Sequence, residues 1–138
     1  MSAKKSELGR IQEVYDIVIK TRAQIANTQF TKERFVDPPN DADDLMAEGI
    51  LNRVLRLTEE LGSIEDATAR KYSLNDKGAR GIRNRLAHAY GEVDREIVWG
   101  VIENDFDEIL EGCKAYCEDI GVEIGQGVRL RVTSISPL

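Results

Sequence analysis

The feature that most constrains the fold is the spacing of the apolar residues, which recur every three or four positions over most of the chain. This spacing places them on one face of an α-helix, because a helix has about 3.6 residues per turn. The alternation that is typical of β-strands is weak and is confined to the end of the chain, from Gly125 to Leu138. The sequence therefore predicts an all-α protein.

Four helices are predicted from this spacing and from the residues that typically begin and end helices. Their approximate ranges are 6–27, 42–61, 75–90 and 95–120. Ser6 is the predicted N-cap of the first helix, and Gly62 and Gly121 end the second and the fourth. A shorter helical piece, 64–71, extends the second helix after a kink. Between the first two helices, two prolines followed by Asn and Asp predict a break at 35–41.

Short connections between long amphipathic helices favour antiparallel neighbours. We therefore expect an up-and-down antiparallel four-helix bundle. A length of 138 residues suits one domain. We assign residues 1–121 to the helical domain and residues 122–138 to an irregular or β-prone C-terminal tail.

The chain shows no membrane or export signal. No stretch approaches the ~18 consecutive apolar residues of a membrane span. The segment Met1–Arg10 is polar and lacks the apolar region of a signal peptide. We therefore expect a cytoplasmic protein.

The two cysteines, Cys113 and Cys117, lie four residues apart in the fourth predicted helix. A metal site would need further ligands, but the chain has no other cysteine, and its single histidine, His88, is far away in sequence. We interpret both cysteines as small apolar residues on a buried stripe, and we expect no metal and no other cofactor.

The formal net charge of −6 speaks weakly against nucleic acid as a partner, but the charges are unevenly distributed. Residues 70–85 contain six basic residues and one acid, whereas residues 92–119 contain ten acids and two bases. An acidic protein with one basic block can still attract phosphate locally.

The third predicted helix has two chemically different faces. On a helical wheel the polar residues Lys77, Arg80, Arg83, Asn84 and His88, together with Ala87, fill one arc of about 140°. The opposite side is apolar. Like charges at this spacing repel each other, which favours a bound anion on this face. The alternative is a basic surface helix whose charges pair with the acidic fourth helix.

The cationic face also carries groups that can move protons. Arginine can bind a phosphate through two parallel hydrogen bonds, and histidine exchanges protons near neutral pH. Together they supply the minimum needed to drive a ribose 2′-hydroxyl onto its adjacent phosphate. Asn84 lies one turn before His88, where its amide could orient the imidazole. No cluster of acids near these residues suggests a metal. An ordinary surface or core histidine is the alternative.

The run Arg83-Asn84-Arg85-Leu86-Ala87-His88-Ala89-Tyr90 resembles the Arg-x-x-x-x-His-x-Tyr signature of HepT-like toxins, which belong to the HEPN superfamily of helical ribonucleases. The flanking residues are similar too, with Gly81-Ile82 before the signature and Asp94 and Ile97-Val98-Trp99 after it. The resemblance covers most of residues 8–120, and its specific part is residues 78–102.

This resemblance implies a function for each residue of the signature. Arg83 and His88 would be catalytic, Asn84 would support them, and cleavage would leave a cyclic phosphate. Lys77 and Arg80 lie before the signature, and we expect them to bind RNA phosphate because they belong to the cationic face. The lack of a nearby acid cluster predicts that cleavage needs no metal. Two chains would form a homodimer in which the signatures face each other.

The resemblance also implies partners. The RNA substrate is not specified, and transfer RNA is one candidate. A minimal nucleotidyltransferase antitoxin would neutralise the toxin and could adenylylate Tyr90. The alternative for Tyr90 is an aromatic residue at the helix end that packs between the third and fourth helices. Two other interpretations stay open: a non-catalytic helical module that partners a nucleotidyltransferase, and a purely structural bundle.

Overall fold

The computed structural model of the chain describes residues 6–74 and 94–124, and all regular structure within these ranges is helical. The helices are α1 (Glu7–Thr28), α2 (Lys32–Val36), α3 (Asp41–Gly62), α4 (Asp66–Lys71), α5 (Arg95–Gly100) and α6 (Phe106–Asp119). A π-helical turn, Val101–Asp105, joins α5 and α6 into one continuous helix. The predicted all-α fold is confirmed.

Side-chain caps fix where the long helices begin. The hydroxyl of Ser6 accepts a hydrogen bond of 3.0 Å from the amide of Gly9, as predicted for the start of α1. The amide oxygen of Asn40 accepts one of 2.8 Å from the amide of Asp43 at the start of α3. Such caps satisfy backbone donors that have no partner inside the helix. The predicted bounds of both helices are therefore correct to within one residue.

Three helices end in the same left-handed turn. The residues with positive φ are Gln29 (54°), Ser73 (56°) and Gly121 (73°). After each of them, the next amide donates to a carbonyl five residues back, as from Leu74 to Ala69 (2.8 Å). This pattern is the Schellman motif. The apolar residues that follow two of these turns, Phe30 and Leu74, are buried.

The short helix α2 lies partly in the segment predicted as a break. The hydroxyl of Thr31 caps it by accepting from the amide of Arg34 at 3.2 Å. Its Phe35 is fully buried. Arg34 then donates two hydrogen bonds, of 2.9 and 2.7 Å, to Asp43 at the start of α3. Arg34 thereby lowers the pKa of the Asp43 carboxyl. With only five residues, α2 has no apolar period from which it could be predicted.

Helix α1 packs against both α3 and α6 and is antiparallel to each. Arg10, near its start, lies 3.6 Å from Glu60 near the end of α3. Arg22, near its end, donates to Asp107 at the start of α6 at 2.9 Å. These are the relative directions that an up-and-down order gives to the first, second and fourth helices. The third predicted helix, 75–90, and residues 125–138 lie outside the described residues, and the predicted domain boundary at residue 121 stays a prediction.

Apolar side chains from all these helices meet in one core. In the last helix, the apolar residues that recur at the predicted spacing are buried: Val98, Val101, Ile102, Ile109, Leu110, Cys113 and Cys117. Within residues 6–74 and 94–124, no helix has the length and apolarity that crossing a membrane requires.

A glycine in α6 allows the chain segment after α4 to approach that helix closely. A Cβ atom on Gly112 would overlap the carbonyl oxygen of Tyr72 and would lie 2.8 Å from Cδ2 of Leu74. Leu74 itself is fully buried. The backbone of residues 72–74 therefore rests directly on the middle of α6.

We expect Gly112→Ala to destabilise the protein by about 1–3 kcal/mol, because the methyl group must displace backbone rather than a flexible side chain. The free energy of unfolding in urea measures this effect. Gly49→Ala in α3 is the matched control, since its Cβ would meet nothing within 4 Å. That change should stabilise the exposed helix by up to about 1 kcal/mol. Equal stability of the two variants would contradict the close approach at Gly112.

Candidate active site

The sequence places the candidate site between α4 and α5, in residues 75–93, which lie outside the described residues. All six predicted site residues fall there: Lys77, Arg80, Arg83, Asn84, His88 and Tyr90. Their roles and their mutual arrangement stay predictions. The structure describes the framework on either side of this segment, and that framework fixes where the segment begins and ends.

The framework on the N-terminal side is the turn that follows α4. Ser73 holds the left-handed conformation there, which is uncommon for a residue with a side chain. The amide of Ser73 donates to the carbonyl of Arg70, and that of Leu74 donates to the carbonyl of Ala69. Leu74, the last described residue before the segment, is fully buried. The point at which the chain enters residues 75–93 is therefore fixed by hydrogen bonds and by packing.

Tyr72 gives this turn a second attachment to α6. Its hydroxyl donates a hydrogen bond of 2.6 Å to a carboxylate oxygen of Asp119. Its ring lies edge-on to that of Tyr116, with centroids 5.5 Å apart. The hydrogen bond to Asp119, followed by burial, raises the pKa of Tyr72, so the phenol keeps its proton at neutral pH.

On the C-terminal side, Asp94 and Arg95 fix the start of α5. The carboxylate of Asp94 caps the helix by accepting from the amide of Glu96 at 2.9 Å. Arg95 donates to the carbonyl of Phe35 at 2.9 Å and to Glu48 at 2.8 Å. One arginine thus holds the first turn of α5 to both α2 and α3.

Trp99, which belongs to the flank that resembles the family, has a packing role. It is 6% exposed, and its ring centroid lies 5.4 Å from that of Phe35. Phe35 also lies beneath the guanidinium of Arg95, at 5.7 Å. The aromatic pair and Arg95 therefore form one cluster that anchors α5.

The π-helical turn lies directly after this cluster. A π-helical turn holds one more residue than an α-helical turn, so it changes the face that the following residues present. On its two sides Val98 and Phe106 are both fully buried. The turn therefore lets α5 pack against α2 while α6 packs against α1. The sequence does not reveal this turn, because one additional residue hardly changes an apolar spacing of three to four residues.

The interpretation of the two cysteines as buried apolar residues is confirmed. Cys113 and Cys117 are free thiols with no more than 1% exposure. Burial, together with the neighbouring Cys117, raises the pKa of Cys113 to about 12. A thiol with such a pKa is a poor nucleophile and a poor metal ligand. In the described part of the chain, no group of three or more His, Cys, Asp or Glu side chains is placed to hold a metal ion.

Sequence reasoning also missed two positioning residues of this framework, Gly112 and Arg95. A glycine in the middle of an apolar helical pattern is itself a signal of close approach by another segment, and Gly112 carried that signal. Arg95 has no comparable signal, because its partners on α2 and α3 become neighbours only in the folded chain.

A comparison with known protein families identifies the family to which the chain belongs. The model of the family described as "Ribonuclease HepT-like" matches residues 11–116, which is most of the chain. The matched range includes the predicted signature, Arg83–Tyr90, and the described framework on both sides of it. No curated protein and no solved structure gives a significant match to the chain. On the family match, this chain belongs to the HepT-like ribonuclease family.

Proposed function

We propose that the chain is a metal-independent endoribonuclease, acts as the toxin of a toxin–antitoxin pair, and cleaves RNA at a site shared by two copies. The observation that carries this proposal is the unbroken signature Arg83–Tyr90 within the range that matches the ribonuclease family. Loss of Arg83, Asn84 or His88 would have favoured the non-catalytic binding module instead.

The proposed reaction is an intramolecular transesterification at one phosphodiester of the RNA. A base removes the proton of the ribose 2′-hydroxyl, and the 2′-oxygen forms a bond to phosphorus. The bond from phosphorus to the 5′-oxygen breaks, and an acid returns a proton to that oxygen. The products are a cyclic phosphate and a 5′-hydroxyl. His88 would transfer protons, Asn84 would orient it, and Arg83 would bind the phosphate oxygens, with Lys77 and Arg80 extending the cationic surface.

A homodimer explains how one histidine per chain could serve this reaction. The transfer benefits from both a base and an acid, and each chain has only His88. A symmetric dimer supplies two imidazoles and pools the arginines of both chains around one phosphate.

Tyr90 is the proposed point of control. A minimal nucleotidyltransferase antitoxin would transfer an adenylyl group from a nucleoside triphosphate to the Tyr90 hydroxyl, with release of pyrophosphate. The modification places a negative phosphodiester two residues from His88. It would compete with RNA phosphate for Arg83 and Arg80.

We expect His88→Ala to lower the rate of RNA cleavage by about 10²–10⁴-fold, because general acid–base catalysis contributes that much. Cleavage is measured by gel electrophoresis in the presence of EDTA, and the products are tested for a cyclic phosphate. Arg83→Ala should cause a comparable loss. Arg85→Ala is its matched control, because residue 85 falls outside the cationic arc of the predicted helix.

Two outcomes would contradict this assignment. If wild type and His88→Ala cleave equally, or arrest growth equally on expression, His88 is not catalytic. If cleavage requires an added divalent metal, the metal-independent route is wrong.

Activity should depend on dimer formation. We expect the turnover per chain to fall as the protein is diluted below its dimer dissociation constant, since a single chain offers one histidine. The measurement pairs initial cleavage rates with the oligomeric state from sizing-column and light-scattering data at the same concentrations. An active, stable monomer would refute the shared site.

Tyr90 should carry the adenylyl group when the chain is co-expressed with a cognate nucleotidyltransferase. Intact-mass and peptide mass spectrometry would detect the added nucleotide, and the modified protein should lose RNA cleavage. Tyr90→Phe, which removes only the hydroxyl, should remain unmodified and escape this inhibition. Full inhibition of an unmodified chain by the partner would point to steric blocking instead.

A further inference from the structure

Two cavities lie side by side between α1 and α3, and together we call them the groove. Their described lining residues do not include the six predicted site residues. The first half of the groove is a cavity of about 360 Å³ whose lining surface is mainly apolar and includes the side chains of Ile25, Met46 and Ile50. Its second half, of about 390 Å³, is polar and is lined by Lys20, Arg53 and Arg56 among others. Arg53 lines both halves, so the apolar and cationic surfaces adjoin.

The cations of the polar half have no carboxylate partner among the described residues, although the protein is acidic overall. Arg10, Arg22, Arg34 and Arg95 each lie within 4.0 Å of a carboxylate. In residues 6–74 and 94–124, by contrast, no ion pair involves Lys20, Arg53 or Arg56.

Two carboxylates, Glu13 and Asp16, also line this half. Among the described residues Asp16 forms no ion pair with the three cations, and Glu13 has interactions of its own. The three cations outnumber the two carboxylates, so this half keeps a positive charge that favours an anion.

The apolar half contains free space beside a glycine that has no packing reason to be there. Gly49 lies in the interior of α3, and a Cβ atom on it would meet nothing within 4 Å. Glycine weakens a helix interior, and alanine would fit without any clash. A larger side chain at this position would instead occupy the cavity.

A buried hydroxyl at the same cavity is without a partner. Thr21 is 2% exposed and lines the apolar half, and its Oγ1 forms no hydrogen bond in the structure. A buried hydroxyl without a partner is unfavourable, so the described residues leave one polar group of this wall unsatisfied. Gln24, on the same wall, adds an exposed amide that can both donate and accept.

We propose that this groove is an accessory RNA subsite that binds one nucleotide of a single strand. The base would occupy the apolar half beside Gly49, within reach of Gln24, and the phosphate would bind Arg53, Arg56 and Lys20. A nucleotide combines a flat, partly apolar ring bearing hydrogen-bonding edges with an adjacent anion, which matches the order of surfaces along the groove. The subsite rests on the proposed ribonuclease function, because that function supplies the RNA.

The test measures binding of a fluorescein-labelled single-stranded 2′-O-methyl RNA by fluorescence anisotropy, with the full-length protein in EDTA. This RNA cannot be cleaved by 2′-hydroxyl attack, so binding is measured apart from catalysis. We compare Arg53→Gln with Lys114→Gln, since Lys114 is an exposed cation on α6 and both changes remove one positive charge. Gly49→Leu fills the apolar half, and circular dichroism confirms that each variant is folded.

We expect Arg53→Gln and Gly49→Leu to raise the Kd about tenfold, while Lys114→Gln changes it less than about twofold. Arg53→Gln should also reduce the slope of log Kd against log salt by about one, which a purely structural effect would not do. Equal effects of Arg53→Gln and Lys114→Gln, or unchanged binding by Gly49→Leu, would overturn the subsite.

Two further results separate this proposal from the proposed function. If Gly49→Leu changes the oligomeric state on a sizing column instead of RNA binding, the groove is an interface between copies and the subsite is wrong. If wild type binds RNA through the groove but does not cleave unmodified RNA, the subsite stands and the ribonuclease assignment fails. If the protein cleaves RNA but the groove variants do not change its RNA binding, the ribonuclease assignment stands and the subsite is wrong.

Discussion

The framework around the candidate site depends on one long helix, because both ends of residues 75–93 are attached to it. Leu74 rests on Gly112 in α6, while Asp94 caps α5, which continues through the π-helical turn into α6. At about 1.5 Å per residue, the start of α5 and Gly112 are about 25 Å apart along this helix. The predicted helix 75–90 would be about 24 Å long. The described anchors and the predicted helix therefore agree in length.

The sequence predicts the fold well where local rules decide the structure. Ser6 caps α1, and the apolar spacing of the last helix identifies buried residues correctly, because periodicity and capping depend only on near neighbours in the chain. It fails at α2, which is too short to show a period and is held by the Arg34–Asp43 pair. It also fails at the π-helical turn, since one additional residue leaves the apolar pattern almost unchanged.

For the candidate site, the sequence identifies residue types but not their surroundings. The signature Arg83–Tyr90 was recognisable because its residues are close together in the chain, and the match to the ribonuclease family includes this range. Arg95 is not recognisable as a positioning residue in the sequence, because its partners come from distant segments. An arginine that donates to the Phe35 carbonyl and to Glu48 joins residues more than forty positions apart. Only the folded chain reveals such contacts.

The pairing of charges gives a physical reason why an acidic chain could bind RNA at the proposed subsite. With a net charge of −6, the protein as a whole repels a polyanion, so any affinity must come from cations that lie close to phosphate. Arg34 and Arg95 cannot contribute, because their carboxylate partners already neutralise them and hold the helices together. Arg53 and Arg56, which form no ion pair within residues 6–74 and 94–124, would contribute without breaking an ion pair of this framework. The same residue type thus stabilises the fold where it is paired, and under the proposal it would bind a ligand where it has no such pair.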